Sequence, residues 1–184
     1  MESSRKFLQG RVCVKVGDIT TEDVDTIVNA ANGTLINGGG VDGAIHRAGG
    51  RAILEACKEI RRKQYPDGLP TGRAVITTGG NLTTPYVIHT VGPVYGRGGE
   101  DKANLLAACY FNSLALAVTK GLRTIAFPAI STGVYGYPMS EAASVSSRAV
   151  QQFLARDQSV EEVRLVFFAS ADAELFLKHH AFTG

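Results

Sequence analysis

Cysteine is scarce in this chain, and what there is makes no framework. Cys13, Cys57 and Cys109 are odd in number and far apart, which fits a reducing compartment and no disulfide scaffold. No C-x-x-C or H-E-x-x-H spacing occurs, so no dedicated metal site is expected. Cys57 falls in a helical stretch, where a small buried thiol is expected rather than a nucleophile. Long apolar runs are missing too. The most apolar segment, residues 105–118, is interrupted by Asn112 and Ser113 and is too short to cross a bilayer. The N-terminal ten residues, MESSRKFLQG, hold no apolar core of a signal peptide. Neither sign of charge dominates: 19 Lys and Arg against 17 Asp and Glu leave a net +2 and no basic block, so electrostatics demand neither nucleic acid nor an acidic membrane. With no repeats, low-complexity tracts or linkers, the 184 residues are expected to form one cytoplasmic domain spanning 1–184, large enough for a full core.

Strands and helices alternate along the chain. Residues 11–16 (RVCVKV) alternate as a half-exposed strand, and strands are expected at 26–29, 73–77, 86–90, 123–127 and 163–169. Helices are expected at 41–65, 101–120, 138–155 and 172–179, with Gly121 placed to end the second of these. Near-continuous apolar strands such as TIAF and VRLVFFA are those of a sheet covered on both faces. The fold class is therefore α/β, with a mixed, mostly parallel sheet to which the N-terminal strand and the 73–90 pair are candidate antiparallel additions.

The richest stretch is residues 29–46, NAANGTLINGGGVDGAIH. It leaves a short buried strand, clusters its glycines and then starts a helix. Three adjacent glycines, Gly38 to Gly40, carry a large entropic cost on ordering, which makes sense if a ligand must approach the backbone closely. Backbone N–H groups at a helix N-terminus suit phosphate. Asp42 sits in the same place, where a bare anion-binding loop would not want a negative charge. The combination suggests a phosphate-bearing ligand with chemistry done beside it.

Gly38 to Gly43 also matches G-x-G-x-x-G, but the dinucleotide-binding reading fails. Eight residues separate the glycines from the strand, Asp42 would face the pyrophosphate, and the acidic candidates Glu55 and Glu59 lie in the same helix. No Walker-type lysine follows. A second glycine-rich loop, PAISTGVYGYP at 128–138, is either a flexible turn or a second anion cradle. Two such loops at strand ends favour a ligand with two phosphates between them.

GDIT at 17–20, NAAN at 29–32, GGGVDGAIHRAGG at 38–50, HTVGP at 89–93 and AISTGVYGYP at 129–138 together resemble the macrodomain family, and GGGVDGAIH is similar to its MacroD-type ADP-ribosyl hydrolase branch. The resemblance runs from about Val12 to the C-terminal helix and implies a three-layer α/β/α fold with an ADP-ribose cleft at the carboxyl edge of the sheet. It implies that Asp18 accepts from the adenine amino group, that the Ile19 N–H meets the adenine ring, and that backbone amides around Gly40 and Val41 and around Ser131, Thr132, Gly133, Val134 and Tyr135 hold the diphosphate. It implies that Asn32 bonds the distal ribose and that Tyr135 packs on it. Without the resemblance, Asp18 reads more readily as a turn or cap residue than as a ligand-binding one.

Asp42 and His46 are four apart at a helix start and share a face. A carboxylate so placed can orient or deprotonate a water, and His46 is either a second catalytic group or a structural helix histidine. His89 is expected to be structural, Asn29 to pin the loop backbone with its amide, and the run Arg61-Arg62-Lys63 to be a solvated face. The expected activity is hydrolysis of mono-ADP-ribose from acidic side chains: water attacks the anomeric carbon, Asn32 fixes the ribose, and the carboxylate leaves without a strong general acid. This fits the absence of a second catalytic carboxylate in these loops. The diphosphate can itself activate the water, which would leave Asp42 as a positioning group. Deacetylation of O-acetyl-ADP-ribose fits the same site, and a non-catalytic ADP-ribose reader is the alternative. No cofactor is expected. The partners implied are ADP-ribose and mono-ADP-ribosylated proteins, with nucleic acid only as an ADP-ribosylated end and no membrane, and the chain is expected to be a monomer. Two departures from the family stand out. Asn37 replaces a common glycine. Ala171 stands where many members carry an aromatic against the adenine, so stacking is either lost or supplied by another residue such as Phe168.

Overall fold

The computed structural model describes residues 4–36, 38–98 and 101–184. Asn37 lies outside the described residues. Seven strands form one sheet: β1 (Arg5–Phe7), β2 (Val12–Val16), β3 (Thr26–Ala31), β4 (Ala74–Thr78), β5 (Tyr86–Val91), β6 (Thr124–Phe127) and β7 (Glu162–Phe167), in the order β1-β2-β7-β6-β3-β5-β4. The five central strands are mutually parallel, and β1 and β4 close the two edges in antiparallel register. The mixed, mostly parallel sheet is thus as expected, but the N-terminal strand of the sequence reading, β2, runs parallel to β7 and is not an antiparallel addition. The sequence reading missed β1, three residues joined to β2 by a turn in which Leu8, Gln9 and Gly10 all take positive φ.

The sheet residues split their side chains by parity. Val28, Ile88, Ile125 and Leu165 pack with α3 (Lys102–Thr119), α4 (Met139–Arg156) and α5 (Ser170–His179); Ile27, Val87, Ala126 and Val166 pack with α1 (Gly40–Gly49) and α2 (Arg51–Lys63). Two cores, one on each face, make the three-layer α/β/α arrangement. No helix among the described residues is long and apolar enough to cross a membrane.

The single helix expected over 41–65 is two helices. Gly50 breaks it with φ +80, a conformation L side chains rarely adopt. The break lets the loop after β4 reach the end of α1: Asn81 N–H donates to the Gly49 carbonyl at 2.8 Å. A Cβ on Gly80 would lie 2.2 Å from that same carbonyl oxygen. The chain bends where two glycine pairs, 49–50 and 79–80, touch.

The topology places the site. After β3 the chain runs outward to β4 and β5; after β6 it runs the opposite way, to β7. Neighbouring strands β3 and β6 therefore send their connections apart, and a crevice opens at their carboxyl ends, where open α/β sheets bind ligands.

Candidate active-site cleft

Both glycine-rich loops leave from this crevice. The first follows β3 and enters α1, whose N-terminus has no side-chain cap. Among the described residues no acceptor takes the N–H groups of Gly39, Gly40, Val41 and Asp42. Gly40 has φ +57, and the space beside Gly39 and Gly40 where a side chain would stand is open. The second loop follows β6. It is pinched at its neck by Tyr137 N–H donating to the Ser131 carbonyl at 2.9 Å and inside it by Gly136 N–H donating to Gly133 at 3.0 Å. Tyr95 N–H tethers it through the Tyr135 carbonyl at 2.9 Å. The N–H groups of Thr132, Gly133, Val134 and Tyr135 donate to no acceptor among the described residues. Each loop thus offers a run of free backbone donors, the arrangement that cradles an oxyanion.

At the other end of the same edge, β2 and β7 finish side by side. Gly17 N–H donates to the Phe167 carbonyl at 2.9 Å, so Asp18 and Phe168 are neighbours. Asp18 caps the 3-10 turn Ile19–Thr21: its Oδ1 accepts from Thr20 N–H at 2.9 Å and Thr20 Oγ1–H at 2.7 Å. Its second oxygen takes no bond among the described residues. The capping role does not consume the carboxylate. Ile19 is buried, whereas the Phe168 ring is 87% exposed and open to contact. Ala171 lies in the first turn of α5 and is exposed.

Asn32 follows β3 and is half-buried. Its Oδ1 accepts from the backbone N–H of Thr34 at 3.0 Å and from the Thr34 hydroxyl, an Asx turn that opens the loop. The amide nitrogen lies against Gly38, 3.2 Å from where a Cβ on that glycine would stand. Asn32 therefore keeps donors in hand at the mouth of the crevice.

Asp42 is 5% exposed. Its Oδ2 accepts from the Gly38 N–H across the loop, and its Oδ1 accepts from Asn29 Nδ2–H at 2.6 Å. His46 Nε2 stands 3.4 Å from Oδ1. The pair does share a helix face, as the spacing predicts, but that face is turned into the protein. Both oxygens already hold partners, so as placed the carboxylate fastens the glycine loop. The expected role of Asn29 needs correction: its amide pins the Asp42 carboxylate and not the loop backbone, because β3 aims alternate residues 27, 29 and 31 at the α1/α2 face. The sequence carried no signal for the next partner, His89, which pairs with Asn29 in the β3–β5 register. His89 Nδ1 is 3.1 Å from Asn29 Nδ2. Burial, and behind it His46, depresses the His89 pKa from 6.5 to about 3. Burial also pushes the Cys57 thiol up to about 12, with Asp42 adding to it, so Cys57 is a protonated core thiol. Arg61 donates to three backbone carbonyls, those of Thr34, Tyr65 and Pro66; it braces the first loop from outside, whereas Arg62 and Lys63 pair with Glu59 at the surface. Among the described residues no group of three His, Cys, Asp or Glu is placed to hold a metal ion.

Comparison with known proteins agrees with this geometry. The family model described as "Macro domain" matches residues 28–146. A macro domain-containing protein of Streptomyces griseus is 57% identical over 153 residues, 83% of this chain and 84% of its own. The O-acetyl-ADP-ribose deacetylase of Citrobacter koseri is 51% identical over 169 residues, covering 92% of this chain and 94% of that protein. Among solved structures, the Oceanobacillus iheyensis macrodomain with ADP superposes with a TM-score of 0.93 at 43% identity, covering 97% of this chain and 95% of its own. The Trypanosoma brucei macrodomain in complex with ADP-ribose gives 0.83 at 36% identity, covering 92% and 68%. The chain belongs to the macro domain family.

Proposed function

We propose that this chain binds ADP-ribose along the carboxyl edge of the sheet and hydrolyses esters at its distal ribose, both the ester joining mono-ADP-ribose to an acidic side chain and that of O-acetyl-ADP-ribose. One observation carries the reading: two runs of unused backbone N–H donors leave adjacent strands β3 and β6, with Asp18 and Phe168 at one end of the edge and Asn32 at the other. A ligand that is base, then diphosphate, then sugar matches that order. The relatives named as O-acetyl-ADP-ribose deacetylases and those solved with ADP or ADP-ribose support it.

In this reading the free oxygen of Asp18 accepts from the adenine amine, Phe168 stacks on the ring, and the amides of Gly40 and Val41 and of 132–135 hold the diphosphate. Asn32 donates to a hydroxyl of the distal ribose, and Tyr135 packs on that sugar. In the protein ester, water attacks the anomeric carbon and the protein carboxylate departs with the bonding electrons; in O-acetyl-ADP-ribose, water attacks the acetyl carbonyl carbon and the ribose oxygen departs, taking up a proton as acetate is released. Because the departing carboxylate of the protein ester is a weak base, no general acid is needed in that reaction. Asp42 is a positioning group: its oxygens are held by Gly38 and Asn29, which leaves the negative diphosphate to accept the proton of the water. His46 completes the setting of that carboxylate. The protein works as a cytoplasmic monomer.

The occupied oxygens of Asp42 also favour a second reading, a module that binds ADP-ribose without turnover. One experiment separates them. The wild type is incubated with a protein mono-ADP-ribosylated on glutamate and, separately, with O-acetyl-ADP-ribose, while ADP-ribose binding is measured by calorimetry. Release from either ester supports the hydrolase. Tight binding with no release supports the reader, and absence of binding removes both.

A further inference from the structure

Three neighbouring strands carry one buried polar line from the middle of the sheet to the glycine loop. Thr77 on β4, His89 on β5 and Asn29 on β3 all face α1 and α2 and are nearly or fully buried. Thr77 Oγ1 is 2.9 Å from His89 Nε2, His89 Nδ1 is 3.1 Å from Asn29 Nδ2, and Asn29 Nδ2 is 2.6 Å from Asp42 Oδ1.

The donors and acceptors fit in one direction only. A carboxylate cannot donate, so the Asn29 group facing Asp42 must be the NH2. Its second hydrogen points at His89 Nδ1, which must therefore be a bare acceptor. The imidazole proton then sits on Nε2 and is donated to Thr77 Oγ1, whose own hydroxyl hydrogen goes to the Thr78 carbonyl at 3.0 Å. Cys57 Sγ, 3.8 Å from the same Nε2, is the remaining polar neighbour. At the far end, Asp42 holds Gly38 by its N–H. Gly38 is wedged: a Cβ there would be 3.1 Å from Asp42 Oδ2 and 3.2 Å from Asn32 Nδ2, and a Cβ on Gly43 would be 2.7 Å from the Gly38 carbonyl oxygen. The placing of Gly38 is thus the placing of Asn32.

We propose that His89 is a positioning residue for the site: held as the neutral imidazole protonated on Nε2, it orients the Asn29 amide, which orients Asp42, which holds Gly38 against Asn32. This rests on the hydrolase reading for its effect on turnover but not for its effect on structure. Reversal of the imidazole proton would set Nδ1–H against the Asn29 NH2 and turn the amide oxygen toward a carboxylate. Outer partners that orient a reacting group often matter tenfold or more, because a displacement of about 1 Å at the reacting geometry can cost roughly 100-fold in rate.

The test uses the whole chain. Imidazole 15N shifts of the ligand-free protein are expected to show His89 Nδ1 unprotonated and Nε2 protonated. His89→Leu keeps bulk but no acceptor. It is expected to move the Gly38 amide proton upfield and to lower kcat about tenfold or more, with ADP-ribose affinity changed less than about threefold. His89→Asn restores an acceptor where Nδ1 stood and is expected to recover most of both. A proton on Nδ1, or a His89→Leu protein with unchanged Gly38 shift and kcat, overturns the proposal. If the wild type releases nothing from either ester, the hydrolase reading fails, while the tautomer and the Gly38 shift still decide this one. If His89→Leu does not fold, the wild-type tautomer decides, together with Thr77→Val, which removes the Nε2–H acceptor and is expected to move the same Gly38 resonance.

Discussion

Gly92 and Ser131 are in contact so close that only the absence of a side chain permits it: a Cβ on Gly92 would lie 2.1 Å from Ser131 Oγ and 2.7 Å from Ile130 Cγ2. Ser131 is 7% exposed and takes φ +66, so the loop after β6 contains a residue in a costly conformation, seated on the glycine that follows β5. Gly92→Ala is expected to push Ser131 off that seat. The cost is about 1–3 kcal/mol, the usual penalty for a methyl forced into a packed interior. At roughly 2–4 °C per kcal/mol for a domain of this size, a thermal melt will show it. Calorimetry with ADP-ribose should show weaker binding as well, since the free amides of residues 132–135 follow Ser131 directly. A variant with wild-type melting and binding would mean that the contact relaxes without consequence.

Asp42 gives the sharpest distinction between fastening a loop and activating a water. Asp42→Ala leaves the Gly38 N–H and one hydrogen of Asn29 without acceptors; the buried Asn29 donor costs about 1–3 kcal/mol and the Gly38 N–H less, because that residue is exposed to water. The melting temperature should fall by several degrees and turnover with it. Asp42→Asn retains one acceptor oxygen for two donors and should lie between wild type and alanine in both. If the carboxylate were the base instead, asparagine would abolish turnover as fully as alanine, although its stability would still lie between the two. Melts and hydrolysis rates on the three proteins decide between the patterns.

Much of the layout can be read from residue order. The apolar runs TIAF and VRLVFF become central parallel strands, and the free amides sit in the two glycine loops that the spacing singled out. The remainder depends on contacts between distant residues. Nothing local in RKF predicts β1, because a three-residue edge strand exists only by pairing with Val12–Val14. Gly50 ends a helix because the loop after β4 arrives there, more than 25 residues on. Asn29 and Asp42 are 13 apart in sequence and Asn29 and His89 are 60 apart. Their meeting follows from β3 and β5 being neighbours in register, which no motif encodes.

Phe168 offers a test of the adenine end that stability does not confound. The ring is largely in solvent, so Phe168→Ala should change folding stability by no more than about 0.5 kcal/mol, as for most surface substitutions. If the ring stacks on adenine, the loss in ADP-ribose affinity should be about 1–3 kcal/mol, the range for base stacking on an aromatic. Affinity for ribose 5-phosphate, which lacks the base, should not change. Equal loss for both ligands would show that the substitution acts on the loops, and no loss for either would place the adenine elsewhere.

His89 makes the stability of the fold depend on pH in a defined window. The folded protein keeps it neutral, with its pKa depressed from 6.5 to about 3 by burial and by His46, whereas in the unfolded chain it protonates normally. Between those two values the unfolded state binds the extra proton, so stability is full above pH 6.5 or so and declines as the pH falls toward 3. For one proton the slope is about 1.4 kcal/mol per pH unit. Denaturant melts between about pH 6.5 and 5, above the range where carboxylates titrate, should show this decline in the wild type. His89→Asn should flatten it, leaving the weaker contribution of His180, whose pKa is lowered by partial burial and by Arg5. If the slope in this window is unchanged in His89→Asn, the buried imidazole is not what links folding to pH, and the neutral state of His89 in the folded protein is wrong.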